Sequence, residues 1–226
     1  MKAANFALEL ARLPVAQLCF ERRLNPAAIP DVYANFTRPH PRYKVFGNKA
    51  MGAALIDLSR FDNPAAYLHT VRHHGHAGHQ SRKAAARGYR LRRIDRNEHL
   101  DEIHAIHTSS PERQGRPMDA SYLMRRTSFP SEPHCECHGV FDAEGRLAAY
   151  CNIALYGNFV ATDQLMGYKN NDGIMYLLLS SIICSLIEAR RVNWFMYDTW
   201  FGAQHGLRQF KRHVGFQPYR ARYRLV

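Results

Sequence analysis

The chain has 226 residues, 46% of them hydrophobic, enough to bury one large core or two small ones. Lysine and arginine exceed aspartate and glutamate by 31 to 19, a formal charge of +12 that attracts a polyanion or a phosphate-bearing ligand. Five cysteines without regular spacing argue against a secreted disulfide framework, and no run of about 18 apolar residues lacks a polar break, so the sequence reads as a cytoplasmic protein without a transmembrane segment.

Met1 to Leu13 has a helical pattern with Glu9 and Arg12 inside it, unlike a signal peptide. Turn signals follow at Asn25-Pro26, Pro30, Pro39 and Pro41. Tyr43 to Phe46 and Ala53 to Leu58 read as short strands joined through Gly47-Asn48. Asn63-Pro64 marks a helix start, with Asn as N-cap and Pro at the first helical position. That helix is expected to reach Arg87, weakened at Gly75 and Gly78 and stopped by Gly88. From Arg72 to Arg96 stand Arg72, Arg82, Lys83, Arg87, Arg90, Arg92, Arg93 and Arg96 against one acid, Asp95. They form either a solvated helix face or a phosphate-binding ridge for tRNA, coenzyme A or anionic membrane.

Tyr89 to Ile94 reads as a strand, Asn97 to His107 as a helix and Asp119 to Arg126 as a shorter one. His138–Phe141 and Leu147–Leu155 form a hairpin through Asp142–Gly145, and Tyr156-Gly157-Asn158 turns the chain into a strand from Phe159 to Tyr168. Gly173 to Arg190 is a helix apolar on nearly all sides, which implies burial against a sheet. Val192–Thr199 is a strand, Leu207–His213 a short helix stopped by Gly215, and Gln217–Leu225 a closing strand. The order from Tyr89 is β-α-α-β-β-β-α-β-α-β, an α/β (α+β) chain with a mixed sheet and helices packed on it. Residues 1–88 are expected as a small N-terminal extension and 89–226 as the main domain.

The loop from His107 to Met118 is rich in hydrogen-bonding groups. Arg113 and Arg116 suit a clamp on a carboxylate or phosphate of the acceptor, and Gln114 and Glu112 suit an amide or amine, with Gly115 and Pro117 shaping the loop; solvated arginines are the plain alternative. His134-Cys135-Glu136-Cys137-His138 and the run His69, His73, His74, His76 and His79 invite a metal reading. Cys135-x-Cys137 is too tight for the usual zinc spacing, and on a strand Cys135 and Cys137 face away from Glu136, so no metal site is expected.

The element order resembles the GNAT acyltransferase fold over the last 140 or so residues. Val192–Thr199 followed by Gly206-Leu-Arg-Gln-Phe-Lys-Arg-His-Val-Gly-Phe is similar to the late strand and helix of FemAB-like proteins, with their "FK…G" ending. Arg82-Lys83-Ala-Ala-Ala-Arg87-Gly88-Tyr89 resembles the basic helix preceding that domain, and Met166–Ile187 stands where the donor-binding strand, loop and helix lie. The resemblance implies an acyltransferase. Lys211, which matches the FK lysine, would meet the oxyanion or a donor phosphate. Asp198, at a strand end, would orient an amine or act as base, and Tyr197 and Trp200 would wall the acceptor pocket. Lys169, Asn170 and Gly173, with Arg82, Lys83 and Arg87, would hold the donor.

The sequence departs from the acetyl-CoA pattern at Tyr168-Lys169-Asn170-Asn171-Asp172-Gly173, which keeps one glycine of the usual pyrophosphate loop. Asp172 there reads as an N-cap that also opposes an anion. The donor is therefore open between acyl-CoA, acyl-carrier protein and aminoacyl-tRNA, a co-substrate rather than a bound cofactor. The acceptor is an amine or hydroxyl of a small molecule, sugar or peptide. A non-catalytic basic RNA-binding module is the alternative, followed by a membrane-surface scaffold.

Overall fold

The structure, a computed structural model, describes residues 10, 12–41, 44–74, 76–113 and 116–226, without the side chains of His73 and His74. Most of the helical pattern over Met1–Leu13, and Tyr43, Gly75, Gln114 and Gly115, lie outside the described residues.

In chain order the described elements are β1 (Val15–Phe20), α1 (Ala28–Thr37), β2 (Met51–Asp57), α2 (Pro64–His74), α3 (Ala77–Ala86), β3 (Arg90–Ile94) and α4 (Leu100–Thr108). The short β4 (Glu112–Arg113), β5 (Arg116–Pro117) and α5 (Ala120–Leu123) follow. Then come β6 (Cys135–Phe141), β7 (Leu147–Leu155), β8 (Phe159–Gly167), α6 (Ile174–Ala189), β9 (Trp194–Thr199), α7 (His205–Val214) and β10 (Gln217–Leu225). From β3 onward the expected order of main elements is observed, with boundaries shifted by a few residues. Lys44–Phe46 form a turn and bend rather than a strand. The single helix expected from Pro64 to Arg87 is two, ending at His74 and restarting at Ala77. Its start is as expected: the Asn63 side chain accepts from the Ala66 amide at 2.9 Å.

The chain divides into two compact units, and residues 88 and 89 are not the boundary. The first comprises Met1–Ser59, Leu155–Ala161 and Arg191–Val226. Its strands run β1-β10-β2-β9-β8, with Phe159–Ala161 as the share of β8. β1 is parallel to β10, β2 is antiparallel to both β10 and β9, and β9 is parallel to β8. The strands of the first sixty residues are thus integral to this sheet. Phe20, fully buried, centres an aromatic cluster with Tyr33, Phe36, Tyr156, Phe159 and Tyr223 at ring separations of 4.9 to 5.8 Å. On the outer side of β1 the Asn158 amide oxygen accepts from Cys19 N at 2.7 Å and its nitrogen donates to Gln17 O at 3.0 Å, next to a backbone bridge between Phe20 and Gly157.

The second unit comprises Arg60–Ala154 and Thr162–Arg190. Its strands run β8-β7-β6-β3, with β7, β6 and β3 antiparallel in turn. Helix α6 buries Ile174, Leu178, Leu179, Ile182, Ile183 and Ile187, as its apolar sequence predicts. Small buried residues of α3 (Ala77, Gly78, Ser81 and Ala84) let it pack on α6, where the Ser81 and Ser180 hydroxyls meet at 3.3 Å. A second cluster joins Ile103 and Ile106 of α4 to Phe141, Leu147, Tyr150 and Met166. Among the described residues no helix is long and apolar enough to cross a membrane.

Candidate active site

In the first unit, β9 ends irregularly. Its register against β2 shifts between the pairs Ala53–Thr199 and Leu55–Met196, and Asp198 adopts φ 52°, a left-handed conformation few L-residues take. Lys211, 1% exposed, reaches under this irregularity from α7 and donates to Tyr197 O at 2.7 Å and Thr199 O at 2.8 Å. Its ammonium also stands 4.5 Å from the Tyr197 ring centroid. Burial lowers its pKa from 10.5 to about 8, with Asp198 opposing the shift and Lys49 adding to it. The half-exposed Asp198 carboxylate pairs with Lys49, whose own carbonyl accepts from the Tyr223 hydroxyl at 3.0 Å. The backbone carbonyls beside Asp198 are therefore clamped from below by one cation, and its side chain is held by another.

This geometry corrects two expectations. Direct contact between Lys211 and an oxyanion or phosphate requires an accessible ammonium, but two of its three N–H groups serve backbone carbonyls in a buried setting. Trp200 is 7% exposed and its amide bonds to Gly52 O at 2.7 Å, which makes it core rather than pocket wall. Tyr197 is half-buried.

In the second unit, the loop from Tyr168 to Gly173 is tied down from two sides. Lys83 donates to Asn171 O at 2.6 Å, Arg87 forms an ion pair with Asp172, and the Tyr89 hydroxyl donates to Asp172 at 2.9 Å. From the other side Lys169 donates to the Ser110 hydroxyl at 2.7 Å and Glu112 O at 3.2 Å. Asn170 accepts from the Asp172 amide at 3.1 Å. Gly173, at φ 84°, is itself the N-cap of α6, and a Cβ there would stand 2.4 Å from Gln80 O. Asp172 is thus not the N-cap but an anchor for the basic helix, and its charge is met by Arg87. Arg82 bonds within α3, to Gly78 O at 3.2 Å.

The expected basic ridge is largely occupied internally as well. Arg90 donates to Ala85 O and Tyr89 O, Arg96 to Gln164 and Pro130 O, and Arg93 lies 3.8 Å from Glu136. The loop expected to face an acceptor is a small hairpin. Arg113 stacks 4.9 Å from the Tyr122 ring centroid and Arg116 lies 3.6 Å from Asp119, while Gln114 lies outside the described residues.

Beside this hairpin's helix, His107 is buried with Nε2 2.6 Å from the Tyr150 hydroxyl, and burial lowers its pKa to about 4. A cleft of about 410 Å³ lies between β6 and the segments around Arg96 and Glu132. Cys135 and Cys137 line it, with thiol pKa values pushed up by burial to about 11 and about 12, so both are protonated at neutral pH. Asn152 lines it too and donates to Asp163 at 3.0 Å. Among the described residues no group of three or more His, Cys, Asp and Glu residues is placed to hold a metal.

The arrangement of strands and helices is shared with known structures. FemX aligns over 74% of this chain and 59% of its own at 11% identity and a TM-score of 0.56. A domain assigned to a lysylphosphatidylglycerol synthetase of Agrobacterium fabrum aligns over 74% and 57% at 18% identity and a TM-score of 0.52. The chain shares its fold with FemX and with this synthetase domain. It spans under three fifths of the length of both structures. No family model and no curated protein matches it.

On this FemX-like fold, the structure brings Tyr197, Asp198 and Lys211 together in the first unit and Lys83, Arg87, Lys169, Asn170 and Gly173 in the second. Sequence reasoning missed Lys49 and Tyr223, which sit at a turn and on a strand and carry no motif. It also missed Asn152 and Asp163, for which one signal existed: polar residues interrupting two strongly apolar strands.

Proposed function

We propose that the protein is an acyltransferase that moves an acyl or aminoacyl group from a phosphate-bearing donor to an amine or hydroxyl acceptor. The observation that carries this reading is the buried Lys211 ammonium beneath a strained Asp198, on a FemX-like fold. The chemistry needs an acceptor nucleophile that gives up its proton as it attacks the donor carbonyl, and a leaving thiolate or hydroxyl that takes one back. In this reading Asp198 orients the acceptor and accepts that proton. Lys211 fixes the backbone that presents Asp198, and Lys49 fixes its side chain. The loop from Lys169 to Gly173, with the first-turn N–H groups of α6, is proposed to meet the donor phosphate. Acyl-CoA, acyl-carrier protein and aminoacyl-tRNA all remain donors of the right chemistry.

The test is stabilisation and turnover. Thermal shift with acetyl-CoA, longer acyl-CoAs and charged tRNA should give a rise with one of them, and no rise with any would sink the reading. With that donor, Asp198→Asn should lower turnover by on the order of a hundredfold or more without unfolding the protein. Donor-free RNA binding with no transfer would instead favour the non-catalytic module.

A further inference from the structure

One amine already stands at Asp198. The Lys49 ammonium forms an ion pair with the Asp198 carboxylate, and the two side chains are 24% and 55% exposed, so the pair is open to solvent. Lys49 is presented by a backbone held on both sides of the residue. Its amide donates to Phe36 O at 3.0 Å, and its carbonyl accepts from the Tyr223 hydroxyl at 3.0 Å. Asn48, just before it, donates from its amide to Arg38 O at 2.7 Å and from its side chain to Asn35 O at 3.1 Å. The Lys49 ammonium also lies 5.9 Å from the Phe36 ring centroid.

Asp198 is fixed independently. Its φ of 52° is held by the bonds from Lys211 to the flanking carbonyls of Tyr197 and Thr199. An amine and a carboxylate are thus brought together by backbone bonds outside the pair, which removes most of the orientational freedom a reaction would otherwise cost. A plain surface ion pair does not call for lysine. The chain has only Lys2, Lys44, Lys49, Lys83, Lys169 and Lys211 among its 31 lysines and arginines, so arginine is its ordinary cation. Arginine also makes the better fork on a carboxylate, whereas lysine alone offers an amine that becomes a nucleophile on losing a proton. The other amine beside Asp198, Lys211, is 1% exposed and committed to its two carbonyls.

We propose that Lys49 is a site of self-acylation, an inference that rests on the acyltransferase reading of Asp198 given above. Asp198 takes one proton from the ammonium, and the freed Nζ attacks the carbonyl carbon of the donor. A C–N bond forms and the C–S or C–O bond to the donor breaks. The leaving thiolate or alkoxide takes the second proton that the nitrogen sheds, and the first passes from Asp198 to water. The product is an amide on an uncharged side chain that no longer pairs with Asp198. An amide is a poor acyl donor, so the group stays on the protein as a mark and is not passed to an acceptor.

The experiment incubates the full chain in turn with acetyl-CoA, with S-acetyl-N-acetylcysteamine (a thioester without phosphate) and with bulk charged tRNA. Mass spectrometry of proteolytic peptides then follows acyl groups on each lysine. With at least one probe, Lys49 should be acylated about tenfold or more faster than the exposed Lys44 of the same segment. Asp198→Asn should bring Lys49 down to the rate of Lys44 and leave Lys44 unchanged. Asparagine tolerates the left-handed backbone at this position, and melting curves check that the variant folds. Lys49→Arg, which keeps the cation, should abolish the mark. The inference is overturned if Lys49 shows no excess with any probe, if the excess survives in Asp198→Asn, or if the acyl group gathers on Lys211 instead. A donor that stabilises the protein and is turned over while Lys49 stays unmarked removes this inference alone. Failure of the acyltransferase reading is seen separately, in the absence of any stabilising donor.

Discussion

Lys211 shows how a single residue can be found by sequence and still be misread. The FK motif located it, but only the fold shows that its ammonium faces two carbonyls in a buried position. Its burial makes a pH prediction with a definite sign. The folded pKa of about 8 lies below the unfolded 10.5, so between those values the unfolded chain holds more protons and stability rises with pH. The associated contribution is fully present above pH 10.5 and lost as pH falls to about 8, on the order of 3 kcal/mol. Urea unfolding of wild type and Lys211→Met across pH 7.5–10.5 should show the difference between them growing in favour of wild type, and a constant difference would contradict the burial argument. His107 gives the acid counterpart. Its pKa of about 4 against 6.5 means stability lost as pH falls from 6.5 to 4, and His107→Gln should flatten that limb of the pH–stability curve. Nothing in the sequence marks His107 as buried beside Tyr150, since the partner is 43 residues away.

At the scale of elements, the sequence was most readable where the period was clean. Gln217–Leu225 is observed with the same bounds as expected, and the apolar run of α6 is a buried helix. β1 escaped because Val-Ala-Gln-Leu-Cys-Phe alternates only over its first half, then buries three residues in succession. The Arg87–Asp172 knot escaped because an acid before a helix reads locally as a cap. Gly173 holds the donor loop against α3, so Gly173→Ala should cost about 1–3 kcal/mol, measured by urea unfolding, through a left-handed alanine crowding Gln80 O. Asn158 closes the edge of β1 with two hydrogen bonds, and Asn158→Ala should cost about 1–3 kcal/mol and promote self-association, visible by sedimentation. An unchanged sedimentation profile with unchanged stability would show that the edge is protected by other means.

For the whole molecule, the class of fold was legible from element order, while the division of the chain was not. Composition gave no sign that the opening strands belong with the closing ones, because strand pairing depends on long-range packing. The fragment 89–226 lacks β1 and β2, and with them Phe20 and three of the four pairing interfaces of the first unit. It should therefore fail to give a cooperative thermal transition, and a sharp melt would revive the simpler two-part division. The pairing of β1 with β10 also has a consequence in time. Val15 finds its partner at Arg220, so β1 must stay unpaired while the roughly 200 residues between them are synthesised, about ten to forty seconds at ordinary rates. All residues of the second unit are made within that interval. The first unit therefore closes last, and during translation its apolar β1 is the segment most in need of a chaperone.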